Sequence, residues 1–286
     1  MEKLRDAYGK LYDSLAGTKW GDGLCAARKD AEYTTFTAMQ GDSYFESKAV
    51  DGKDFRFMLV GRAVNGWDEY RIGEEEYLTR ENFIESSIMN LLNDKKAIVF
   101  GKDRFEWIDT NHGKARNTAR AGIDRGVVNG EYSLTRAQIW SYTKSIWDSL
   151  YGRETKLDER WFENIVWSNI YKIAPHNGDN PSDELQQKEL EACKELLKQE
   201  IEYFKPTHIF LATARGYWFE RFEDIFEYVE EKGTNISRGN NKNEDYVEAI
   251  AKYIYEDGSS ANVVVACRPE GRAKDGYVNE VVKYFG

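Results

Sequence analysis

"FRFMLVGRAVNGW", residues 55–67, decides the fold. Phe57, Met58, Leu59 and Val60 form an unbroken apolar run, followed by Gly61, Arg62 and a polar turn that closes on Asn65-Gly66. A short continuous apolar run bounded by turn residues reads as a strand buried on both faces, the pattern of a parallel sheet. Ligands of open parallel sheets lie beyond the carboxyl ends of the strands. The strand therefore stops where a ligand would lie, and it delivers Gly61, Arg62, Ala63 and Asn65 to that place.

Working outward, Leu4, Ala7, Tyr8, Leu11, Tyr12 and Leu15 recur at helical spacing, with Gly17 as the stop. Residues 18–53 read as irregular, and a helix is predicted near 80–93. "TRAQ" (135–138) reads as a capping box before a helix whose apolar face runs from Ile139 to Leu150. "NIVWSNIYKI" (164–173) is a second strand. "NPSDEL" opens a long helix to about Phe204, with Ser182 as its cap and Asp183 and Glu184 at its positive end. "THIFLATA" is a third strand. "EAIAKYIYEDG" and "ANVVVAC", split by Gly258-Ser259-Ser260, suggest an edge hairpin whose second strand is central. A helix from Tyr277 to Phe285 closes the chain.

Strands alternating with helices predict an α/β fold, a three-layer sandwich. Its sheet has four parallel strands, at about 55–60, 164–170, 207–212 and 262–267, plus one antiparallel edge strand. Residues 1–286 read as a single domain. The stretch from about 66 to 131 is too long for one connection and reads as an insertion with helices of its own.

The chain carries a formal charge of -10, which excludes a broad basic surface for nucleic acid. Three scattered cysteines among 286 residues exclude a disulfide framework and a cysteine-only zinc site. The start "MEKLRDAYGK" is no signal peptide, and no apolar run reaches the roughly 18 residues of a membrane span. The expectation is a cytoplasmic protein without membrane partner, metal or cofactor, its oligomeric state open. "GRAVNG" is not a phosphate loop, because no Lys-Ser or Lys-Thr follows, and G-x-S-x-G is missing.

The other strand ends deliver Asn169 and Lys172, Thr213 and Arg215, and Arg268 before Pro269. "SNIYKIAPHNGDNPSDEL" and "EACKELLKQEIEYFKPTHIFLATA" place Asn169, Lys172, Pro175, Asn180, Pro181, Ser182, Glu184, Cys193, Pro206 and Ala214 in one order. That order resembles the uracil-DNA glycosylase superfamily, nearest to the branch that usually carries an iron–sulfur cluster. The resemblance covers about 164–216. It implies that fold, a nucleobase, nucleotide or DNA as ligand, and N-glycosidic hydrolysis as the activity. It also implies that Asn169 reads the base edge and that Pro269 belongs to the last motif. Gly61, Arg62, Ala63 and Lys172 complete the expected binding set.

Several positions depart from that branch. Arg62 stands where it has an acid, Val64 where a Pro follows, and Arg268 where it has a His. Only Cys193 matches a cluster cysteine, so no cluster is expected. Arg268 can stabilise a departing base anion, whereas Arg62 cannot serve as a base. Asn65 or Asp68 would then orient a water, and two arginines at one edge suit a phosphate or other small anion. "HGKARNTARAGIDRG" gathers Lys114, Arg116, Arg120 and Arg125 against Asp124 and would track a nucleic-acid backbone. Rival readings are a non-catalytic binder of an anion or nucleic-acid end, and a different hydrolase using Asp68 or Glu69.

Overall fold

The computed structural model describes residues 1–26, 32–46, 49–50, 53–63, 78–92, 115–116, 127–128, 131–132, 138–152, 161–175, 180–232 and 245–286. In chain order these form α1 (Glu2–Leu15), α2 (Lys19–Cys25), β1 (Tyr33–Thr35), β2 (Met39–Gln40), β3 (Ala49–Val50), β4 (Lys53–Asp54), β5 (Phe57–Gly61) and α3 (Arg80–Leu91). Then come β6 (Ala115–Arg116), β7 (Val127–Val128), β8 (Glu131–Tyr132), α4 (Gln138–Tyr151), β9 (Ile165–Asn169), β10 (Ile173–Pro175) and α5 (Asp183–Phe204). The chain finishes with β11 (His208–Leu211), β12 (Glu227–Glu231), β13 (Val247–Ile254), β14 (Ser260–Ala266) and α6 (Lys274–Phe285).

The main sheet has seven strands in the order β12-β13-β14-β11-β5-β9-β2. The four expected strands are its centre: β14, β11, β5 and β9 run parallel. In register, Val60 lies between Leu211 and Ser168, and Gly61 lies opposite Asn169. Side chains alternate between two cores, as the two-residue period of a strand requires. Met58, Val60, Val166, Ile209, Leu211, Val263 and Val265 face a core shared with α1, α3 and α5. Phe57, Leu59, Ile165, Phe210 and Val264 face a second one shared with α4 and α6. Helices thus cover both faces of a mixed sheet.

Local signals placed the helices. In α1, Leu4, Ala7, Tyr8, Leu11 and Leu15 are buried, and Gly17 takes a left-handed φ of 71° just beyond the end. At α5, Ser182 Oγ accepts from Leu185 N at 3.3 Å, and Asp183 and Glu184 occupy the first turn. Lys205 closes it in the left-handed region, and Pro206 follows.

The single antiparallel edge strand is corrected to three antiparallel additions. The hairpin β13–β14 forms as expected, but β13 is internal, because β12 pairs antiparallel outside it. At the other edge, β2 pairs antiparallel with β9. Both edge strands defeat pattern reading. β12 is acidic and largely exposed, its register shifts between Glu227 and Glu230, and Tyr228 has a φ of 54°. Charge and a bulge are ordinary protection for a sheet edge. β2 has two residues, too few to show a period.

Residues 18–53, read as irregular, contain α2, capped by Thr18, and the strand β1, which pairs antiparallel with β10 in a separate ribbon. Within the expected insertion, the helix at 80–93 is α3, capped by Thr79 Oγ1. The two-residue strands β6, β8 and β7 pair there in a small ribbon reaching residue 132. Among the described residues, no helix is long and apolar enough to cross a membrane.

Candidate functional site at the carboxyl edge of the sheet

The chain runs β5 to β9 on one side, then returns to β11 and β14 on the other. The direction of winding reverses between β5 and β11, and such a switch point opens the carboxyl edge to a ligand. Arg62 spans that point. Its Nε donates to Thr213 O, beyond the end of β11, at 2.5 Å. Its guanidinium lies 4.8 Å from the ring of Trp218, a cation–π distance. The side chain is half-buried, and no described carboxylate forms an ion pair with it. Burial, and after it the charge of Arg268, bring its pKa down to about 10, while Glu270, Glu248 and Cys267 act in the opposite direction. It stays charged near neutral pH.

On the opposite face of the same edge stands Asn169. It is 1% exposed, and a Cβ on Gly61 would lie only 2.3 Å from its Oδ1. The amide needs a glycine beneath it. Its other end, Nδ2, is buried without a hydrogen-bond partner among the described residues. Leaving such a donor unpaired costs about 1–3 kcal/mol. A polar group kept at that cost beside a switch point is the strongest sign of a ligand position here.

Helix α5 holds the turn that follows Asn169. Lys172 is fully buried, and its Nζ donates to Glu200 Oε2 at 2.8 Å and to Ser168 Oγ at 2.7 Å. Ser168 Oγ also donates to Glu200 Oε2 at 2.6 Å. Glu189 Oε2 accepts the amides of Lys172 at 3.3 Å and Ile173 at 3.0 Å, and the thiol of Cys193 at 3.1 Å. Burial raises Glu189 to about 8, and the same burial, with Glu189 beside it, pushes the Cys193 thiol up. Lys172 was expected among the ligand-binding residues. The structure turns it inward, where Glu200 and Ser168 already bond its ammonium.

Beyond β14, Arg268 is exposed, and its Nη2 donates to Glu270 at 2.9 Å. Pro269 is buried in a turn in which Arg272 N donates to Pro269 O at 3.1 Å. Ala63 is partly buried against the core. The edge therefore brings together Gly61, Arg62, Asn169 and Arg268. Asn65, Asp68, Lys114, Arg120 and Arg125 lie outside the described residues. Of Arg116, only its backbone place in β6 is described.

Two residues at this edge escaped the sequence reading. Glu248 is 2% exposed on β13, and its carboxylate accepts the Arg215 amide. Because β13 runs antiparallel, its first residues, not its last, reach the ligand edge. Trp218 sits in a π-helical segment, Arg215–Phe219, that no period would reveal, and its ring meets Tyr171 edge-on at 5.9 Å. Arg215, expected at the edge, is instead surrounded by Glu220, Glu223 and Glu231. Among the described residues no cluster of His, Cys, Asp and Glu could hold a metal ion.

Compared with protein-family models and with curated proteins, the chain matches none.

Proposed function

We propose that the protein binds a nucleobase-bearing anion, as a nucleotide or a nucleic-acid end, on a frame like that of the uracil-DNA glycosylases. The observation that carries this is the buried, unpartnered amide of Asn169 over Gly61. An amide presents a donor and an acceptor side by side, which suits the edge of a base. Arg62, half-buried and without an ion pair to any described carboxylate, and Arg268 supply the positive charge for an oxyanion. The parallel centre of the sheet, with helices on both faces, supports the frame.

A non-catalytic binder is the second reading, favoured by one feature. The group at the end of β5 is an arginine, which cannot take a proton from water. Titration of uracil, uridine 5′-monophosphate and short uracil-containing oligonucleotides, with excision followed on the last, separates the readings. Binding that falls in Asn169→Ala for base-bearing ligands but not for inorganic phosphate supports the base-reading role. Unchanged binding of every ligand in Asn169→Ala and Arg62→Gln would refute it. Release of free uracil by the wild type would decide for hydrolysis.

A further inference from the structure

Arg268 is not free to take an anion at no cost. It already holds a carboxylate, that of Glu270, two residues on. The turn presenting that carboxylate is fixed. Arg272 N closes it on Pro269 O, Gly271 adopts a φ of 78° that favours glycine, and Gly271 N donates to Gln138 Oε1 of α4 at 2.7 Å. The backbone of the turn is therefore tied to the helix layer, while the Glu270 side chain, exposed, can rotate away. Arg62 is laid toward the same place. Its anchor, Thr213 O, precedes Ala214, whose amide donates to Ala266 O at 2.9 Å, and Ala266 lies two residues before Arg268.

We propose that Glu270 is a specificity-determining residue: its carboxylate competes with the ligand's oxyanion for Arg268. The proposal rests on the anion half of the reading above. The physical consequence is a filter. A ligand must carry an anion that binds the two arginines better than one mobile carboxylate does. A phosphate monoester, with up to two charges and three acceptor oxygens, meets that condition. An uncharged nucleoside cannot displace Glu270 and gains nothing from Arg268. The sensitivity of Arg62 to Glu270 agrees with a carboxylate lying near both cations.

The experiment titrates inorganic phosphate, uridine 5′-monophosphate and uridine against wild type, Glu270→Gln, Arg268→Ala and the double variant, at low salt. Exposed pairs of this kind are worth at most about 1 kcal/mol, so Glu270→Gln should bind phosphate and the monophosphate about two- to fivefold tighter. Uridine should bind both proteins equally. In the Arg268→Ala background, Glu270→Gln should have no effect, which separates competition for that side chain from general repulsion. Equal phosphate affinity in wild type and Glu270→Gln, or an equal gain with Arg268 removed, would overturn the proposal and leave the anion reading standing. No phosphate binding by any of the four proteins would overturn both.

Discussion

Lys172 and Arg62 are cations drawn into the protein beyond the ends of two neighbouring strands, and they answer burial in opposite ways. Lys172 meets Glu200 and Ser168 on the α5 side and leaves no charge over. Arg62 bonds a carbonyl and lies over an indole ring, and no described carboxylate forms an ion pair with it, although Glu270 and Glu248 act on its charge from farther off. A buried ion pair whose partners satisfy each other serves the fold or its specificity. A half-buried cation whose described direct contacts are neutral keeps an attraction available to something outside the chain. The same split separates Glu200, consumed internally, from the Asn169 amide, which is not. For the two cations at this edge, the difference is whether a described carboxylate is bonded to them.

That contrast fails first at Glu200. Glu200→Gln strands the Lys172 charge in the core, and unfolding by denaturant should show a loss of about 3–5 kcal/mol. Replacing both partners, as Lys172→Met with Glu200→Leu, should recover most of it. A loss below about 1 kcal/mol in the single variant would mean that Lys172 finds water or another partner, and the contrast would collapse.

The next effect is a pH dependence from Glu189. Its carboxyl in the folded chain titrates near 8, against an ordinary value of 4.5. Between those values the folded protein holds a proton that the unfolded chain has released. Stability should therefore fall as pH rises through that window, with the full contribution retained only below about 4.5. Glu189→Gln should flatten that slope, an effect of about 2–4 kcal/mol by the top of the window. Parallel unfolding curves for the two proteins from pH 5 to 8 would show that Glu189 ionises normally.

At the edge the signs reverse. Arg62→Gln should leave stability within about 1 kcal/mol of wild type while weakening phosphate or nucleotide binding by about 1.5–3 kcal/mol. A loss of stability without a loss of binding would assign Arg62 to the fold beside Lys172. Smallest of all, Arg268→Ala should weaken anion binding by about 1 kcal/mol, because its guanidinium is exposed and shared with Glu270. An isothermal titration with inorganic phosphate measures both.

The sequence showed one side of this contrast and hid the other. The apolar run before Gly61, the Ser182 cap and the alternation of strand and helix are local signals, and the parallel centre of the sheet followed from them. The place of Asn169 and Arg62 at the sheet edge was legible because one ends a strand and the other follows one. The inward turn of Lys172 was not, because the chain leaves the main sheet after Asn169 and pairs with β1 across 140 residues instead. No local period reports such a pairing. Glu248 was hidden for a related reason, since only strand direction tells which end of β13 reaches the edge. Trp218 was hidden by the irregular segment that carries it, entered through Ala214 at a φ of 63°.

The contact between Gly61 and Asn169 has a consequence for descent. Any side chain at 61 must displace the amide at 169, so position 61 cannot change while Asn169 stays in place. A lineage that keeps Asn169 is held to glycine at 61. One that loses the amide is released from that restriction and should accumulate alanine or serine there. Among descendants of this gene the order of the changes is therefore set: the amide goes first, and only then can the glycine follow.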